Sequence, residues 1–254
     1  MKFKNFKLYG LMLLVLSSAA YAEILSTNEL INVSGKTRVT SQRLARTYIE
    51  QCLNAQNSPA LNQVIHTMDN FWSEILEYSP VKADKASQNS TNNMYADWQN
   101  YKTLLKSECN KDVAKKVYDK SELFGANADN YVALLQKNLG KGVGAKLVNQ
   151  AGRQRYYSMS IAKYIQAQQM GLVAVPDANV KIEALKNKWI QSQKELRIAA
   201  SAKPLLEETI DLASEKFKDL LRLHGKNDAS TTALMSESLL DTLHTQVKMF
   251  EGIE

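Results

Sequence analysis

Apolar side chains recur along this chain at steps of three and four, as at Val113, Val117, Phe124, Ala128, Tyr131 and Leu135, and again at Leu239, Leu243, Val247 and Phe250. That is the period of helices with one buried stripe, and no stretch alternates as a half-buried strand does. The pattern predicts eight helices, at about 27-55, 59-78, 91-109, 111-138, 142-170, 177-200, 204-224 and 229-251. The prolines punctuate them. Ser58-Pro59 reads as an N-cap followed by Pro at the first helical position, Pro204 starts a helix in the same way, Pro176 opens one after Gly171, and Ser79-Pro80 closes one. The polar run Lys85 to Asn93, K-A-S-Q-N-S-T-N-N, is expected to be a loop.

The second four helices repeat the first four. N-V-S-G-K-T-R-V-T-S-Q-R-L-A-R, Asn32 to Arg46, returns as N-Q-A-G-R-Q-R-Y-Y-S-M-S-I-A-K, Asn149 to Lys163, with an offset of 149 − 32 = 117. Trp72 and Trp189 share that offset, while Ser121-Glu122 and Val132 answer Ser236-Glu237 and Val247 at 236 − 121 = 115. The expected fold is therefore all-α: two tandem antiparallel four-helix bundles, residues 23-139 and 140-254, paired through their first helices. The joint L-G-K-G-V-G-A-K, Leu139 to Lys146, lacks the spacing of a phosphate loop and follows no strand, so it reads as a helix-breaking boundary.

Successive residues 100° apart put Ser34, Arg38, Ser41, Ala45 and Ile49 on one face of the first helix, flanked by Gly35 and Gln42. The second copy carries Ala151, Arg155, Ser158, Ala162 and Gln166 there, flanked by Gly152 and Met159. Small residues let another helix approach closely, and an Arg among them needs a partner, because a buried unpaired charge is expensive. Val33, Leu44 and Tyr48, in the next sector, are placed to pack into the module's own bundle. One reading of Arg38 and Arg155 is ordinary pairing with some Asp or Glu, or a snorkelling surface position. The other is that both guanidinium groups converge on one small anion across a pseudo-two-fold axis. Two such charges about 6 Å apart repel by roughly 3 kcal/mol at an effective dielectric near 20, which an anion would relieve. The planar fork of Arg suits a carboxylate or oxyanion.

Composition narrows the setting. Three lysines precede an apolar run from about Leu8 to Val15 and a small-residue end, Ala20-Tyr21-Ala22, the form of a secretory signal cleaved after residue 22. An uncleaved anchor is the alternative, although the run is shorter than the roughly 20 residues a span needs. Residues 1-22 contain three bases and no acids, so cleavage leaves 29 bases against 26 acids, a net charge of +3 that makes no electrostatic case for nucleic acid. The two cysteines, Cys52 and Cys109, are either an exported protein's disulfide or two buried thiols. They fall near the ends of helices one and three, which point the same way in an up-down bundle. No enzyme is expected: His66, His224 and His244 are scattered without metal spacing, and no nucleophile, base and oxyanion set assembles. Neither a cofactor nor a metal is called for.

The two motifs, I-N-V-S-G-K-T-R-V-T-S-Q-R-L-A-R and N-Q-A-G-R-Q-R-Y-Y-S-M-S-I-A-K, resemble the opening helix of the type IV pilus methyl-accepting chemotaxis transducer N-terminal domain (PilJ type), shared by nitrate/nitrite sensor kinases of the NarX type. The resemblance implies a periplasmic four-helix sensor module that dimerises through its first helix and holds an anion between the arginines three residues after the Gly, here Arg38 and Arg155. Asn32, Gly35, Ser41, Asn149, Gly152 and Ser158 are the remaining candidate site residues, with Ser41 and Ser158 expected near enough to add hydrogen bonds. Lys36-Thr37 stands where the second copy has Arg153-Gln154, and Arg43 is matched by Ser160. Tyr156 and Tyr157 replace smaller side chains, which suits a ligand larger than nitrate. With no second long apolar run, kinase or methyl-accepting region, the protein is expected to be periplasmic and to act through a membrane-bound sensor or chemoreceptor. The rival expectation is a helical scaffold without a small ligand.

Overall fold

A computed structural model describes residues 26-53, 61-140, 142-226 and 228-253. The expected signal segment, its cleavage point and the Ser58-Pro59 cap lie outside them. The described chain is all helical: α1 (Thr27–Cys52), α2 (Leu61–Glu77), α3 (Ser79–Ala83), α4 (Lys85–Leu105), α5 (Lys111–Asn138), α6 (Gly142–Gln169), α7 (Val175–Ala200), α8 (Pro204–Leu221) and α9 (Ala229–Glu251).

Local chemistry sets the boundaries. Ser26, Asp84, Asn110 and Asp228 each accept a hydrogen bond from the backbone N–H three residues on, at 3.1, 2.8, 2.9 and 2.8 Å, and so cap α1, α4, α5 and α9. Pro176 and Pro204 stand in the first turns of α7 and α8, where a missing N–H costs nothing. Gly142, with φ of +73°, makes the break between α5 and α6.

Two expectations about the first half are revised. Ser79-Pro80 follows the end of α2 at Glu77, but it also opens the short α3, which was not expected. The run Lys85 to Asn93 is not a loop but the beginning of α4. Asp84 caps it, and its polar residues have a buried face: Ser87 and Thr91 are almost without exposure, and the Thr91 hydroxyl lies 2.8 Å from that of Tyr131. A face of small hydroxyls buries as a helix stripe while reading as loop composition.

Among the helix pairs, α1 and α6 pack against each other most extensively. Around them, α1 also packs on α2 and α5, and α4 on α5 and α2; in parallel, α6 packs on α7 and α9, and α8 on α9 and α7. Core aromatics differ between the two sets. Trp72 meets Tyr95 and Tyr131 in the first, and Trp189 stacks on Phe217 at 4.0 Å in the second. Val33, Leu44 and Tyr48 are buried, and the Tyr48 hydroxyl donates to the carbonyls of Ser107 and Glu108. A disulfide joins Cys52, at the end of α1, to Cys109, before α5, with Cα atoms 5.6 Å apart. No helix among the described residues is long and apolar enough to cross a membrane.

Candidate functional site

The seam of α1 and α6 buries polar side chains with unusual completeness. Ser34, Arg38, Ser41, Ala45 and Ile49 on α1, and Ala151, Arg155, Ser158, Ala162 and Gln166 on α6, are all fully buried or within 1% of it. Glycine at 35 and 152 admits the arginines. A Cβ added at Gly152 would lie 3.2 Å from Nη2 of Arg38 and 3.3 Å from Nη2 of Arg155; at Gly35 the same two atoms would be 3.7 and 3.8 Å away. Both guanidinium groups therefore meet at the two glycines.

Each arginine reaches the asparagine of the other copy. Arg38 donates to the Asn149 side-chain oxygen at 3.3 Å and to its carbonyl at 3.4 Å, and Arg155 donates to the Asn32 side-chain oxygen at 2.6 Å. The asparagines are held in turn by corresponding residues, Asn149 donating to Gln136 on α5 at 2.7 Å and Asn32 to Glu251 on α9. Ser41 and Ser158 turn their hydroxyl protons onto the carbonyls of Arg38 and Arg155, at 2.7 and 3.0 Å, so they offer a bound anion no proton in this arrangement.

The bases that end the two motifs also bind acids on α9 and α5. Arg46 is bonded to Glu237 on α9, which also accepts from Arg43 at 2.9 and 2.5 Å. Lys163 is bonded to Glu122 on α5, to Ser121 at 2.9 Å and to Gln42 at 2.6 Å. The two partners, Glu122 and Glu237, are themselves counterparts in the repeat. Volume is exchanged in the same way: Gly125 on α5 makes room for Gln42 and Tyr156, whereas its counterpart Leu240 on α9 packs with Val39 and Met159.

The charges are unequal at another pair of positions. Asp129 on α5 accepts from Arg38, and from Arg153 through Nε at 3.1 Å and Nη2 at 3.2 Å. Its counterpart on α9, between the matched positions 237 and 251, is His244. Arg155 consequently has no carboxylate within ion-pair distance among the described residues, and its Nε and Nη1 are buried without an acceptor. Burial, and then the neighbouring charge of Arg38, draw the Arg155 guanidinium down to about 9, which leaves it charged at neutral pH. Burial raises the Asp129 carboxyl, but Arg38 and Arg153 outweigh it and hold the group below its ordinary value. His244 is pushed down to about 2 by burial and by the charges of Arg155, Lys36 and Arg43, so it is neutral and supplies no counter-charge.

Of the residues expected from sequence, Arg38, Arg155, Asn32, Asn149, Gly35 and Gly152 are brought together, with the serines beside them facing the backbone. Asp129, Arg153, Lys36 and His244 were not expected there. The spacing carried a signal for one pair, since Asp129 follows Glu122 by seven residues as His244 follows Glu237. Among the described residues no group of three or more His, Cys, Asp and Glu side chains is placed to hold a metal ion.

Residues 20-120 match the family model described as type IV pili methyl-accepting chemotaxis transducer N-term, PilJ. This stretch, which contains α1, α2, α3 and α4 and opens α5, is similar to the PilJ-type domain, whose family is a non-catalytic sensory one. No curated protein and no solved structure matches the chain.

Proposed function

We propose that this protein is an exported, periplasmic sensor-type protein that binds a small anion, an oxyanion or a carboxylate, where α1 meets α6. In this reading residues 23-139 and 140-254 are two tandem four-helix modules, paired through their first helices, and one chain does what two copies of a single module do in the sensors. The bound state is presented to a membrane-bound receptor.

The observation that carries the reading is Arg155: fully buried, facing a second buried arginine, without a carboxylate partner among the described residues, and with two N–H groups lacking acceptors. A buried unpaired cation is costly, and an anion that reached it would gain charge-assisted, fork-shaped hydrogen bonds. A thermal-shift series with nitrate, nitrite, small carboxylates and amino acids tests it, because a ligand selective for the native state raises its stability. The expected result is a saturable rise with at least one small anion, absent in Arg155→Ala; no rise with any of them contradicts it.

A second reading, a helical scaffold without a small ligand, draws on the pairing of Arg38 with Asp129 and on the ion pairs that cross between copies, Arg46 with Glu237 and Lys163 with Glu122. It predicts that both arginines matter for stability alone.

A further inference from the structure

Each half of the seam contains the same four positions: an arginine on the first helix of one copy, an asparagine opposite it, a second base on the first helix, and a residue on the fourth helix of the bundle. In the first half these are Arg38, Asn149, Arg153 and Asp129, and in the second Arg155, Asn32, Lys36 and His244. In the first half the Asp129 carboxylate bridges the two bases, taking both nitrogens of the Arg153 fork and one of Arg38. The same bridging position in the second half has two bases and no carboxylate. Lys36, whose ammonium lies over the ring of Phe71 at 5.2 Å, is lowered by burial and by the charge of Arg155. Lys36 and His244 are both partly exposed, as Asp129 is, so the position opens to solvent on the α9 side.

We infer that the second half takes a carboxylate from solution, bridged by Arg155 and Lys36 beside His244, in the place that Asp129 fills from within the chain in the first half. The inference rests on the anion-binding reading above and names its ligand class and subsite. The nearby acids do not fill the place. Glu251 acts on Arg155 and Lys36 through charge but ends on Asn32 and, at 2.8 Å, on Lys248; Glu74 acts on Lys36 through charge alone, and Glu237 is taken by Arg43 and Arg46. His244 in neutral form adds shape and a hydrogen-bonding ring nitrogen without the negative charge that would expel the ligand.

The test is His244→Asp, which installs the internal counter-ion of the first half in the second. Wild type and variant are titrated calorimetrically with acetate, pyruvate and succinate, and separately with nitrate and nitrite, and both are melted without ligand. The inference expects one carboxylate site per wild-type chain. It expects His244→Asp to melt higher than wild type without ligand and to weaken carboxylate binding at least tenfold, and Lys36→Ala to weaken binding while leaving the helical spectrum unchanged. Wild type that binds nitrate or nitrite but none of the carboxylates overturns the inference and leaves the anion-binding reading standing. So does carboxylate binding that His244→Asp and Lys36→Ala leave intact, or a lower melting temperature in His244→Asp. Wild type that binds none of the five anions overturns both.

Discussion

Lys163 on α6 is fully buried and ends on the carboxylate of Glu122 on α5, so the base that closes the second motif is neutralised by an acid 41 residues before it. Burial pulls the Lys163 ammonium down to about 8 against the opposing pull of Glu122. Burial raises Glu122, but Lys163 and the hydrogen bonds of Lys181 and Tyr164 outweigh it and bring the carboxyl to about 2. Because the folded Glu122 value lies below the ordinary 4.5, the contribution of this carboxylate is fully present above that value and is lost as pH falls toward 2. Glu122→Gln leaves a buried ammonium without its carboxylate and is expected to cost about 3 to 5 kcal/mol near neutral pH. Urea unfolding checks this, and the gap between variant and wild type should narrow near pH 3.

Glu50 shifts the other way. It is fully buried, its nearest cation, Arg46, is 3.6 Å away, and the Gln166 amide beside it offers only a weak opposing pull. Burial, with Arg46 opposing and Glu237 adding to it, raises the carboxyl to about 7. A folded value above the unfolded one means that its contribution is fully present below pH 4.5 and lost as pH rises through 7. Glu50→Gln keeps the shape without the charge. Above pH 7 it should be at least as stable as wild type, and its stability should fall less between pH 5 and pH 8, as read by denaturant midpoints at each pH.

The glycines of the two motifs are expected to differ in tolerance. A Cβ at Gly35 finds ordinary contact with both guanidinium groups, whereas at Gly152 it meets them at 3.2 and 3.3 Å. Alanine also favours the helix by up to about 1 kcal/mol at either position. Gly35→Ala should therefore keep both fold and anion binding, and Gly152→Ala should keep the helical spectrum while displacing the arginines and weakening binding at least tenfold.

The Cys52 to Cys109 bridge closes a loop of 57 residues. In the chain-entropy account a loop of that size is worth about 4 kcal/mol. Reduction, or replacement of both cysteines by serine, should lower the thermal midpoint. Thiol labelling of the denatured, unreduced protein should find neither cysteine reactive.

The helices were legible because hydrophobic period and caps are local signals, and the seam of α1 and α6 because the motif stands on both. The start of α4 was not, since Ser87 and Thr91 bury a polar face whose value depends on Tyr131, forty residues away on α5. Arg38 and Arg155 were legible as a pair, but their counter-ion was not. Asp129 is 91 residues from Arg38, and no local pattern distinguishes it from a solvated acid. Arg38 pairs with Asp129, so of the two arginines expected to repel each other it is Arg155 that lacks a carboxylate among the described residues, with His244 at the position matching Asp129.

The most direct test is paired: calorimetric titration with small anions and urea unfolding of wild type, Arg38→Ala and Arg155→Ala. The account predicts one anion site per wild-type chain and no detectable binding in Arg155→Ala, with that variant losing less than about 1 kcal/mol without ligand, because it removes a buried cation that lacks a carboxylate. Arg38→Ala should be the more destabilised of the two, by about 2 kcal/mol, since Arg153 alone remains on Asp129. Wild-type affinity in Arg155→Ala, or a loss of stability in Arg155→Ala as large as that in Arg38→Ala, would contradict the shared site and favour the scaffold.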